Sequence, residues 1–107
     1  MVRVVHFAED GDTSGFFPAL AKYYDRTRYA MSFGTLKPMT EELSSFMATQ
    51  AVPTFSCGAR SRLVYGGAVL RLARELRSNG CRIFHAHLFD PSVVGLVAAA
   101  LARVPVR

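Results

Sequence analysis

The chain has 107 residues, half of them hydrophobic, and a formal net charge of +5. That length holds one small domain, and that apolar content excludes a disordered tail. The longest apolar run, Val93 to Ala102, is too short for a spanning helix, which needs roughly 18 residues. Glu9 and Asp10 break the basic-then-apolar order of a secretory signal, so the chain is expected to be cytoplasmic and at most peripheral to a membrane surface.

Strand-like and helix-like segments alternate along the chain, the pattern of a parallel sheet covered by helices. Val2 to Ala8 is short and β-branched and leads into the turn-rich stretch Glu9 to Gly15. Phe16 to Tyr24 reads as a helix, with Pro18 tolerated in its opening turn. Arg28 to Thr35 reads as the second strand. Thr40 then caps a helix to about Gln50, with Glu41 and Glu42 set favourably against its dipole. Val52 to Ser56 is the expected third strand.

Arg62 to Asn79 is the longest expected helix, with Tyr65, Val69, Leu72 and Leu76 forming a core-facing stripe. Asn79-Gly80 ends it with residues that accept left-handed geometry. Arg82 to Ala86 is the fourth strand, and Asp90-Pro91 signals a helix start with Asp90 as the cap. Val93 to Ala102 is apolar all round, which predicts burial on more than one side. Val104 to Arg107 reads as the approach to a fifth strand. Four parallel strands leave a sheet edge without a cover, so a complete domain of this type is expected to continue.

Cys57 and Cys81 lack metal-type spacing and are expected to be reduced thiols. The arginines between Arg60 and Arg107 carry most of the charge. Those of the long helix alternate with leucines in helical register, so a solvated face accounts for them and no nucleic-acid partner is expected.

Ligands of open parallel sheets bind outside the carboxyl ends of the strands, where strand order reverses. With the order 3-2-1-4, the Gly11–Gly15 loop and the His85–Asp90 loop would face each other across one crevice. Gly11, Thr13, Ser14 and Gly15 run into a helix N-terminus, where backbone N–H groups can hold a phosphate and glycine permits close approach. A plain strand-to-helix turn accounts for the same glycines, and the spacing matches neither the dinucleotide fingerprint nor the P-loop. His85 and His87 stand two apart, and a strand that extends through both would point them to one face. Hydrogen bonding to hydroxyls or phosphate suits them, whereas a metal would need a third ligand that sequence does not place. His85 can equally be a satisfied strand-end residue. His6 reads as core packing and Glu9 to Asp12 as a solvated loop. No Ser-His-Asp arrangement, no catalytic residue and no cofactor is indicated.

The segment from His85-Ala86-His87 through Asp90-Pro91 to Ala100 resembles the retaining, GT-B-type glycosyltransferases related to glycogen synthase and the phosphatidylinositol mannosyltransferases (family 4). In that family a strand ends in His-x-His and leads into a helix carrying small residues. The Val4-Val5-His6-Phe7 strand with its glycine loop looks like the family's first βα unit, although the loop lacks the usual paired glycines. The resemblance implies a partial, acceptor-side Rossmann-like domain over residues 1–107, with the donor domain absent. It implies a parent that moves a sugar from a nucleotide-sugar to a sugar or lipid acceptor. By match, His87 lines the acceptor side with His85 in support and Asp90 beside them. Gly11 to Gly15 would approach the donor phosphates or the transferred sugar. The chain alone is then expected to transfer no sugar. The alternative is a stand-alone flavodoxin-like module that binds an anion or a partner without catalysis.

Overall fold

The computed structural model describes residues 1–10, 16–87 and 89–107. Strands β1 (Val2–Ala8), β2 (Tyr29–Thr35), β3 (Thr54–Ser56) and β4 (Ile83–Ala86) pair in parallel in the order β3-β2-β1-β4. Helices α1 (Phe16–Tyr23), α2 (Glu41–Thr49), α3 (Tyr65–Ser78) and α4 (Phe89–Leu101) flank the sheet. The fold is α/β and Rossmann-like, and its strand order meets the 3-2-1-4 condition on which the facing of the two loops depends. No helix among the described residues is long and apolar enough to cross a membrane.

Alternation along the strands divides the core in two. Val5 and Phe7 of β1, with Phe84 of β4, pack against Leu72 and Leu76 of α3 and Val94 and Ala98 of α4. Ala8 of β1, with Met31 and Phe33 of β2, packs against Ala21 of α1 and Leu43 and Met47 of α2. Phe7 is fully buried between two rings, Phe55 at 6.3 Å and Phe84 at 5.9 Å between centroids. Gly95 of α4 lies directly on the Phe84 ring, and an added Cβ there would stand 2.7 Å from it. The carboxyl edge of β2 and β3 is tied by two hydroxyls: Thr35 Oγ1 and Ser56 Oγ donate to the Lys37 carbonyl at 2.7 and 2.8 Å.

Several element boundaries differ from expectation, each for a local reason. β3 is shorter, since Pro53 has no N–H for the ladder, though its carbonyl accepts from Phe33 N at 3.0 Å. Thr40 does cap α2, accepting from Leu43 N, and Ala51 at φ 56° turns the chain out of that helix. The third helix opens with a 3₁₀ turn, Arg62–Val64, before α3 begins. Its stripe is deepest at Leu72 and Leu76, joined by Ala68 and Ala73, with Tyr65 and Val69 half-buried against them. Gly80 takes the left-handed conformation, at φ 68°. Val106 bridges Ile83 in parallel, accepting from Phe84 N at 2.8 Å and donating to Arg82 O at 3.1 Å, so the approach to a fifth strand lies beside β4.

The expected burial of the last helix on more than one side is not observed. Val94, Ala98 and Ala99 are buried, but Val93, Leu96, Val97 and Leu101 are each about half exposed (44–52%). A helix laid on one sheet face finds neighbours only on the side toward the sheet and α3, whatever its composition.

Both cysteines are free thiols, Cys81 buried and Cys57 half-buried. Burial pushes the Cys57 thiol up to about 11 and raises Cys81 as well. At neutral pH both are therefore protonated and poor nucleophiles. Iodoacetamide should label the native protein far more slowly than the urea-unfolded chain. Equal rates in the two states would show that the thiols are reachable in the fold.

Candidate functional site

Strand order reverses between β1 and β4, and the residues that meet there are histidines. The sequence holds three histidines in all, and all three converge on one face of this strand pair. His6 stands directly opposite His85 in the β1–β4 register. His87 follows two residues after His85, and its backbone N–H donates to the Phe7 carbonyl at 2.9 Å, extending the pairing past the end of β4. The ring centroids of His85 and His87 are 4.1 Å apart, and His6 lies 5.4 Å from each. His6 Nδ1 and His87 Nε2 approach to 3.2 Å.

Helix α1 covers one side of the cluster. Phe17 meets the His87 ring edge-on at 4.8 Å and packs on Phe33 at the same distance, which ties His87 to the core beneath α1. Phe16, largely exposed, lies 6.0 Å from His87. Among the described residues, His85 on this face of β4 is exposed. An open groove of about 370 Å³ runs from His6 and His85 along Val4 and Ile83 toward Tyr24 and Asp25.

The environment keeps His6 and His87 uncharged at neutral pH. Burial, followed by repulsion from His87 and His85, lowers His6 from 6.5 to about 4. Burial and the nearby His85 also lower His87. At neutral pH His6 and His87 are hydrogen-bonding groups and lone-pair donors rather than cations.

His85 and His87 share a face, as their spacing predicts, and they belong to one cluster. The reading of His6 as simple core packing is corrected: its ring points away from the Phe7 layer, into this cluster. The pairing register, which brings His6 opposite His85, is what sequence could not supply. The alternation of β1 held the only hint, because a polar residue between Val5 and Phe7 must lie on the opposite face from both.

Among the described residues Asp90 is not grouped with the three histidines, and its place relative to α4 differs from the one expected. Helix α4 already begins at Phe89, so Asp90 sits within its first turn, where a carboxylate still favours the dipole. The carboxylate accepts from the Tyr65 hydroxyl at 2.9 Å and pairs with Arg62 at 3.4 Å, joining the starts of α3 and α4. Glu9, read as part of a solvated loop, instead pairs with Lys37 at 3.2 Å across the ends of β1 and β2, which raises the Lys37 pKa. The candidates Gly11, Thr13, Ser14 and Gly15 lie outside the described residues.

The arrangement can donate and accept hydrogen bonds at uncharged imidazoles beside exposed aromatic surface, and it can offer several nitrogen lone pairs to one point. Comparison with family models, curated proteins and solved structures finds no match to this chain.

Proposed function

We propose that this chain forms the acceptor-side wall of a sugar-transfer site, whose donor-binding machinery resides in a separate domain. The observation that carries this reading is the position of His87: it stands at the β1–β4 reversal of a parallel sheet, pinned by Phe7 and flanked by Phe16 and Phe17. Reversal points are where α/β sheets bind ligands. An uncharged imidazole beside an aromatic ring suits a polyol, which presents hydroxyls on its rim and C–H groups on its faces. The His-x-His strand end and the apolar helix after it support the same assignment through their resemblance to family 4 glycosyltransferases. The parent reaction would join a nucleotide-sugar to a sugar or lipid acceptor.

Saturation-transfer NMR on the purified chain, in the presence of EDTA, tests this reading with myo-inositol and methyl α-glucoside as probes. Transfer to the probes is expected at millimolar concentration, lost in His87→Ala and reduced in Phe16→Ala, with no consumption of UDP-glucose. Absence of transfer to either polyol would overturn the acceptor reading. Binding of inorganic phosphate in its place would favour an anion-binding module. Turnover of UDP-glucose by the chain alone would refute a separate donor machinery.

A further inference from the structure

The three histidines supply nitrogen atoms that all lie within 4.8 Å of one another. Adjacent parallel strands hold His6 opposite His85, and His87 follows just past the end of β4, held there by its N–H on the Phe7 carbonyl. A tetrahedral zinc ion bound at about 2.0–2.1 Å by each imidazole holds its nitrogens roughly 3.3 Å apart. The His6 Nδ1 to His87 Nε2 separation of 3.2 Å is already that edge. The remaining ligand, His85, is exposed, so a rotamer adjustment can bring its nitrogen the last ångström or so inward. If both close nitrogens are unprotonated, their lone pairs face each other at hydrogen-bond distance, an arrangement that a cation between them would stabilise.

We propose that His6, His85 and His87 bind one divalent transition-metal cation of the zinc class. Three imidazoles leave one tetrahedral position free, the pattern of open rather than closed zinc sites. The groove beside His6 and His85 gives that position room for water or an oxygen ligand. Imidazole nitrogen selects zinc, copper, nickel or cobalt over magnesium or calcium, which prefer oxygen. Neither cysteine belongs to the histidine cluster. The site requires only these three side chains and stands whether or not the crevice receives a sugar. With a cation present, a polyol hydroxyl would meet the open position instead of the imidazoles.

The test is calorimetric titration of the untagged, EDTA-stripped chain with zinc chloride alone, repeated with cobalt(II) and read by visible absorption. One ion per chain is expected, with the d–d bands of four-coordinate cobalt. His85→Ala, at an exposed position that the fold does not need, should weaken binding by at least about tenfold, as should His6→Asn. Cys57→Ser should leave the affinity unchanged, and circular dichroism checks that every variant is folded. No saturable binding of zinc or cobalt by the folded chain would overturn the proposal. So would binding that survives His85→Ala unchanged. Because the polyol measurement is made in EDTA and this one without sugar, either reading can fail while the other stands.

Discussion

Gly95→Val should lower stability by about 3 kcal/mol, at the upper end of what overpacking a core costs. A Cβ at Gly95 would stand 2.7 Å from two atoms of the Phe84 ring and 3.3 Å from the Phe7 ring. Neither ring can retreat: Phe84 is 2% exposed and Phe7 is 0% exposed. Helix α4 would have to lift from the sheet, opening the contact that also holds Val94 and Ala98. Alanine at the same position meets the same atoms and should also destabilise, despite its better helix propensity. The control is Gly67→Ala in α3, where nothing lies within 4 Å of the added Cβ. That change should be neutral or stabilise by up to about 1 kcal/mol. Urea unfolding reads both: with slopes of about 1–3 kcal/mol per molar, the valine variant should lose a molar or more in midpoint. A midpoint equal to that of the unmodified protein would mean that α4 does not sit on Phe84 as described.

Phe7→Ala should cost about 3–5 kcal/mol, a large part of the roughly 5–15 kcal/mol that stabilises a domain. Phe7 is the middle ring of three, between Phe55 on β3 and Phe84 on β4, and its removal leaves a void that neither neighbour can fill without leaving its own strand position. The cost combines lost burial with an unfilled cavity. Leu63→Ala is the matching control, because Leu63 is 96% exposed and its loss should change little. The two variants compared in the same unfolding experiment separate the core from the surface. A Phe7→Ala protein as stable as Leu63→Ala would disprove the three-ring core.

The alternation of strands and helices, the parallel sheet it implies and the Thr40 cap were legible in sequence because each rests on local chemistry. β-branched runs, Asn-Gly punctuation and a hydroxyl before two glutamates each act within a few residues. What was not legible depends on partners distant in the chain. His6 lies far from His85 in sequence, and only the register of two strands makes them neighbours. Asp90-Pro91 carries a capping signature, but Tyr65, at the start of another helix, brings a hydroxyl close enough to engage the carboxylate. The composition of α4 announces burial without saying how many sides the rest of the fold will cover. Glu9 looks solvated until the end of β2 places Lys37 beside it.

The alternation of β1 and β4 also has a meaning for how this protein could change. Val5, Phe7 and Phe84 belong to one layer, while Val4, His6, Ile83 and His85 line the groove on the other. In these two strands Val4, His6, Ile83 and His85 form a register separate from the Phe7 layer, while Ala8 on the same face joins the second core. Mutation, by selection or in a library, can rewrite one register while the other keeps its packing. The groove residues can in that sense drift without touching the Phe7 layer, though they share their face with the second core.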